Sequence, residues 1–144
     1  MRIRVGAICR NRDQVLLVEH EKEAQRYFLL PGGGVSRGEP TGEAVVREVL
    51  EETGIRVRPR RVVGICESIF PDRRRHIVHF IYETDYTGGQ PGPSQDPRVR
   101  CSGFFPIALL NQLHLRPPLQ QWLQRRLVEG FLDHPEYLGS LWAN

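Results

Sequence analysis

Glu48, Glu51 and Glu52 are the residues whose type and spacing most directly suit chemistry. Separations of three and four residues bring their side chains together on one face of a helix. Exposed like-charge pairs at that spacing repel by about 0.2–0.5 kcal/mol each. Arg47 can pair with Glu51 at i,i+4 and offset part of the repulsion. A hard divalent cation offsets far more, because carboxylate oxygens are the ligands Mg²⁺ prefers. Without a cation, mutual repulsion should raise at least one carboxyl pKa. The plain alternative is a solvated helix face with incidental ion pairs.

The residues just upstream favour the chemical reading. Pro31–Glu39 reads PGGGVSRGE. Gly32, Gly33 and Gly34 allow backbone amides to approach phosphate oxygens closely, and a loop leading into a helix N-terminus attracts anions. Most glycine-rich loops are only turns. Joined at short spacing to a carboxylate-lined helix, this one reads as a phosphate cradle beside a cation site.

Stepping outward, the helix should begin near Pro40 or Thr41 and stop at Gly54, with proline in the first turn and glycine just past the end. On a helical wheel Val45, Val46, Val49, Leu50 and Thr53 gather on one side. Arg47, Glu48, Glu51 and Glu52 gather opposite, around Ala44. One face therefore belongs to the core and the other presents the acids. Ile3–Arg10 and Val15–Val18, joined by Asn11-Arg12-Asp13, read as a hairpin. The charged stretch Glu19–Arg26 reads as a loop, followed by a short strand at Tyr27–Leu30 and an abrupt break at Pro31–Gly34. Further strands are expected at Arg56–Val63, Ile65–Phe70, Ile77–Tyr86 and Val99–Phe105. Thr87–Pro97 reads as a long flexible loop. A short helix is expected from Pro106 and a longer one over Pro118–Val128. Strands mixed with two or three helices in one short chain indicate a layered α/β domain.

Gly33 to Ile55, GGVSRGEPTGEAVVREVLEETGI, resembles the signature of the Nudix hydrolase family, G-x5-E-x7-R-E-U-x-E-E-x-G-U with U aliphatic. Gly33, Glu39, Arg47, Glu48, Val49, Glu51, Glu52, Gly54 and Ile55 fill every specified position. FLLPGG before it and GFFPIALL later also resemble family features, with low specificity. The resemblance implies an α/β/α sandwich around a mixed β-sheet, with the signature forming loop–helix–loop. It implies hydrolysis of a nucleoside diphosphate linked to another moiety, with Mg²⁺ or Mn²⁺. By position, Glu51 and Glu52 are expected as metal ligands, and Glu48 as a ligand or as the base that activates water. Arg47 is expected to orient the glutamates, Glu39 to support the loop, and Gly33 to hold an unusual backbone conformation near the metal. The chemistry agrees: attack of water on a pyrophosphate develops charge that metal ions neutralise, and a glutamate at the metal's edge can take the proton. For a further acid from a late loop, Asp96 is best placed, with Glu67 and Glu83 as alternatives.

Composition narrows the remaining classes. The 144 residues fit a single domain, 1–144, with 40% apolar and 26% charged residues, ordinary for a globular chain. No run approaches the roughly 20 apolar residues of a membrane span, and the start, MRIRVGAICRN, reads as a strand rather than a signal peptide. Cytoplasmic residence is the expectation, with Cys9, Cys66 and Cys101 as reduced, widely spaced thiols. Nineteen of the 20 basic residues are Arg, and the net charge is only +3. Charge alone does not make the chain a nucleic-acid binder. The expected partner is a nucleotide-type small molecule, with no membrane.

Arg73–Arg75 and His76 could clamp a phosphate, yet read first as a solvated turn. Pro71, 16 residues past Ile55, stands where a proline resembles the ADP-ribose-cleaving subgroup. A tyrosine found near there in dinucleoside polyphosphate hydrolases is missing. Tyr27, Phe28 and Phe104 could stack a base, with core packing as the simpler role. The tail PEYLGSLW should dock on the domain or on a second subunit, which leaves a homodimer open. The rival reading is a catalytically silent Nudix-fold nucleotide-binding regulator.

Overall fold

The computed structural model describes residues 1–142, so the last two positions of the expected domain span lie outside the described residues. Strand β1 (Arg2–Asn11) is the hub. At its end it turns into β2 (Gln14–Lys22) through the expected hairpin, but only Arg10↔Val15 and Asn11↔Gln14 pair. The two strands then diverge toward opposite parts of one eight-stranded sheet. β1 runs parallel to β6 (His76–Gly89) and antiparallel to the three-residue β4 (Gly32–Gly34). β6 pairs with β5 (Ile55–Ile69), and β5 pairs in parallel with β8 (Glu136–Ser140). β2 lies between β3 (Gln25–Leu29) and β7 (Val99–Pro106), both antiparallel. The result is a mixed sheet with helices, the fold class expected from the signature.

Alternation along β1 builds one core on each side of the mixed sheet. Val5, Ala7 and Cys9 pack with Val45, Val49 and Ile55 beneath helix α1 (Thr41–Thr53). Ile8 joins Val63, Ile81, Leu123 and Leu127 beneath α2 (Gln120–Glu129) and the 3-10 helix Ile107–Gln112. Each fully buried valine or leucine contributes on the order of 1.5–3 kcal/mol. Among the described residues no helix is long and apolar enough to cross a membrane.

Several boundaries differ from the sequence reading. Glu19–Arg26 is not a loop. β2 continues to Lys22 and β3 begins at Gln25, joined by Glu23 and Ala24 with positive φ of 53° and 64°. Its charged residues mark an exposed hairpin end, not missing structure. Within the break at Pro31–Gly34, Gly32–Gly34 form a short strand, because glycines without side chains can lie directly on β1. Arg56–Val63 and Ile65–Phe70 form one long strand, and register shifts at Arg56/Val57, Pro59/Arg61 and Val62/Gly64 absorb Pro59. β6 extends to Gly89, shortening the expected loop. The tail docks on this chain's own β5, adding β8 to the sheet.

Candidate active site

Close backbone approach fixes the glycine loop. A Cβ on Gly32 would run into the Val5 carbonyl oxygen, and one on Gly33 into the Glu48 carboxylate. Gly33 does not have positive φ, in contrast to the expected unusual backbone. A side chain there would displace the Glu48 carboxylate. Gly54 does adopt the left-handed conformation, φ 79°, and ends α1 with its N–H on the Leu50 carbonyl.

α1 exposes a different face from the wheel's division. Ala44, placed among the acids, is fully buried, and Leu50, placed in the core, is 43% exposed and lines the cleft beside Glu51. Glu52 is only 9% exposed. The acidic face looks into a cleft, so its members differ sharply in solvent access.

Arg47 holds this face together. Its Nε and Nη2 donate to the two oxygens of Glu39, at 2.7 and 2.9 Å. Its Nη1 donates to Glu48 at 3.0 Å and Glu51 at 3.2 Å, and Nη2 also reaches the Gly34 carbonyl. Glu39 also accepts the Ser36 N–H. The Arg47 bonds, with that amide second, push the Glu39 carboxyl down to about 2. Glu48 is pushed the other way, chiefly by burial, with the charges of Glu51 and Glu52 adding and Arg47 opposing. A raised carboxyl was expected of the cluster from mutual repulsion, but burial is the larger cause here. Glu52 is oriented separately: the Gly32 N–H donates to Oε1 at 3.1 Å, and Oε2 lies 3.8 Å from His20 Nε2. His20 is 4% exposed, packs edge-on against Tyr27, and its Nε2 has no hydrogen-bond partner.

Glu48, Glu51, Glu52 and Gly32–Gly34 thus line one cleft of about 790 Å³. Among the described residues no three acidic, histidine or cysteine side chains already converge as a metal cluster. Arg47 Nη1 bridges Glu48 and Glu51 instead. The donors facing the cleft are carboxylate oxygens, the set a hard divalent cation takes.

The other candidates separate cleanly. Asp96 lines the cleft but is engaged by Arg98 at 2.9 Å, which lowers its pKa. Glu67 instead accepts His76 Nε2–H at 2.7 Å and the Tyr137 hydroxyl at 2.6 Å, tying β8 to β5 and β6. Glu83 pairs with Arg61. Of the arginine run, only Arg75 lines the cleft, with its guanidinium 3.9 Å from the Phe70 ring centre. Arg73 takes the positive-φ position of the turn, and the Arg74 N–H is capped by Asp72. Tyr27 reaches the cleft, whereas Phe28 packs on Phe105 and Phe104 on Tyr86.

Sequence reasoning missed His20, Arg4, Ser68, His79, Arg116 and Trp142, which also line the cleft. The one available signal was the alternation of β1, which puts Arg2 and Arg4 on a common face. The others depend on strand register and loop packing.

Comparison with known proteins agrees with this geometry. The NUDIX domain family model matches residues 1–129, and the chain belongs to the Nudix family. It is 32% identical over 112 residues to an ADP-ribose pyrophosphatase of Methanocaldococcus jannaschii, covering 77% of this chain and 65% of that one. It is 31% identical over 121 residues to the NAD-capped RNA hydrolase NudC of Pectobacterium atrosepticum, covering 83% of this chain and 43% of that one. The chain thus spans less than two thirds of either relative. A NUDIX hydrolase structure from Nitrosomonas europaea superposes with TM-score 0.78 at 24% identity, covering 90% of this chain and 89% of that one. A MutT protein from Bacillus halodurans superposes at 0.76, also 24% identical, covering 95% and 87%. These two likenesses concern the fold.

Proposed function

We propose that this chain is a divalent-metal-dependent pyrophosphohydrolase that cuts the phosphoanhydride of a nucleoside diphosphate linked to another moiety. The observation that carries this reading is the carboxylate face of α1, bound around Arg47 and pressed against Gly32 and Gly33 at the wall of the cleft. The ADP-ribose pyrophosphatase and NudC relatives support the substrate class.

Glu48, Glu51 and Glu52 would hold Mg²⁺ or Mn²⁺. When bound, the cation neutralises phosphoryl charge, positions the group and acidifies water. Arg47 holds Glu48 and Glu51 and couples them to Glu39, which braces the loop through Ser36. The Gly32 N–H fixes the angle of Glu52. Glu48, partly buried and raised in pKa, is the carboxylate best suited to take a proton from attacking water. Asp96 is a further acid within the cleft, held by Arg98.

The direct test is turnover of a panel of ADP-ribose, nucleotide sugars, dinucleotides and oxidised nucleoside triphosphates, with Mg²⁺ and with EDTA. The expected outcome is release of a nucleoside monophosphate from at least one substrate, with Mg²⁺ only. Nucleotide binding without turnover of any substrate would instead make the chain a Nudix-fold regulator.

A further inference from the structure

The floor of the cleft carries positive charge that makes no hydrogen bond or ion pair with the glutamate wall, which acts on it only at longer range. Arg4 stands between Gly34 of β4 and His79 of β6 in the sheet register. Among the described residues it has no hydrogen-bond or ion-pair partner. Burial lowers its pKa, the carboxylates of Glu52 and Glu48 work against that, and the charges of Arg2 and Arg98 add to it. Arg116, from the segment before α2, lies with its guanidinium 4.1 Å from the Tyr27 ring centre and donates through Nη2 to Gln25. Its Nε is buried with no hydrogen-bond partner among the described residues.

Both arginines line a small recess of about 30 Å³ beside His79, and no acidic residue lines it. The recess shares Arg4, His79 and Arg116 with the wall of the larger cleft. His79 contributes hydrogen-bonding capacity rather than charge. Burial, with Arg4 second, pushes its pKa down to about 4, and its Nε2 shares a 3.0 Å hydrogen bond with Ser68. A guanidinium does not lose its proton at neutral pH. Two of them around an acid-free recess are balanced by an incoming anion, and their planar forks match phosphate oxygens. The recess has room for about one oxygen atom or water, and the cleft has room for the rest of a nucleotide.

We infer that Arg4 and Arg116 bind a phosphate group of the substrate other than the two flanking the bond that is cut. The substrates preferred are then nucleotides carrying a phosphate beyond the scissile pyrophosphate. The assignment of that phosphate to a substrate rests on the function proposed above, but anion binding at the recess does not require turnover or metal.

The test is calorimetric titration of the full chain in EDTA, with inorganic phosphate, ADP and ATP as probes. The wild type should bind phosphate and should bind ATP at least tenfold more tightly than ADP, because ATP carries one phosphate more. Arg4→Gln and Arg116→Gln should each weaken phosphate binding at least tenfold and erase the preference for ATP. Lys22→Gln, which removes a cleft cation outside the recess, should change phosphate affinity less than twofold. No phosphate binding by the wild type, or equal binding by Arg4→Gln, overturns the site. Equal wild-type affinity for ADP and ATP overturns the substrate preference. If Arg4→Gln fails to fold, Arg116→Gln and the wild-type titrations decide the matter. Phosphate binding without hydrolysis of any substrate would leave this site standing while removing the proposed activity.

Discussion

The two walls of the cleft are built on opposite plans. One comes from a nearly continuous run, Gly32 to Glu52, in which helical spacing and a glycine strand bring the groups together. The other collects Arg4 from β1, Ser68 and Phe70 from β5 and its end, His79 from β6, Arg116 from a loop and Trp142 from the tail. The first wall is rich in carboxylates and internally bonded through Arg47. The second is cationic and aromatic, and among the described residues Arg4 makes no hydrogen bond or ion pair. Chemistry that needs acids at fixed separations can be written in one helix, whereas a surface that reads a substrate can draw on distant segments.

The sharpest way to separate the walls is Glu52→Gln. Glutamine can still accept the Gly32 N–H, so stability should change by less than about 1 kcal/mol. Loss of the charge should lower kcat by ~100-fold or more. Steady-state kinetics beside a melting curve checks both, and near wild-type turnover in saturating Mg²⁺ would remove Glu52 from the site.

A smaller effect is expected at the far wall. Arg75→Ala should raise KM on the best substrate severalfold, since Arg75 alone of its run lines the cleft. Arg73→Ala with Arg74→Ala should leave kinetics unchanged and stability within about 0.5 kcal/mol. Equal KM values for both variants and wild type would make the whole run a solvated turn.

The walls should also titrate in opposite senses. His79 has its folded pKa pushed down from 6.5 to about 4. The unfolded chain then takes up the proton first, so the His79 contribution is present above 6.5 and is lost as pH falls toward 4. Glu48 is raised above 4.5, so its contribution is complete below 4.5 and is lost as pH rises through the folded value. Melting curves across this range should fall less steeply with acid for His79→Gln than for wild type. Parallel curves would mean that His79 is as readily protonated folded as unfolded.

The same contrast explains what was legible in the sequence. Helix α1, its ends at Pro40 and Gly54 and its acids at fixed spacing are local properties, and the structure has the helix at Thr41–Thr53. The mixed sheet with helices followed from the signature. The solvent access of Glu52 and Leu50 was not legible, because a wheel knows directions but not which neighbour covers them. Gly33 looked like a conformational glycine, yet what a side chain there would disturb is Glu48, which the folded pairing of β4 on β1 brings into contact. His20 was lost inside an apparent charged loop that is a hairpin. Arg4 and His79 are far apart in sequence and become neighbours through parallel register.

The central claim is that a divalent cation belongs to the glutamates of α1, and melting with and without metal tests it most directly. Millimolar Mg²⁺ or Mn²⁺ should raise the wild-type melting temperature by mass action. In the Glu51→Gln, Glu52→Gln double variant the gain should vanish while the metal-free melting temperature stays near that of wild type. An equal metal-dependent gain in both proteins would contradict the claim and place the cation elsewhere.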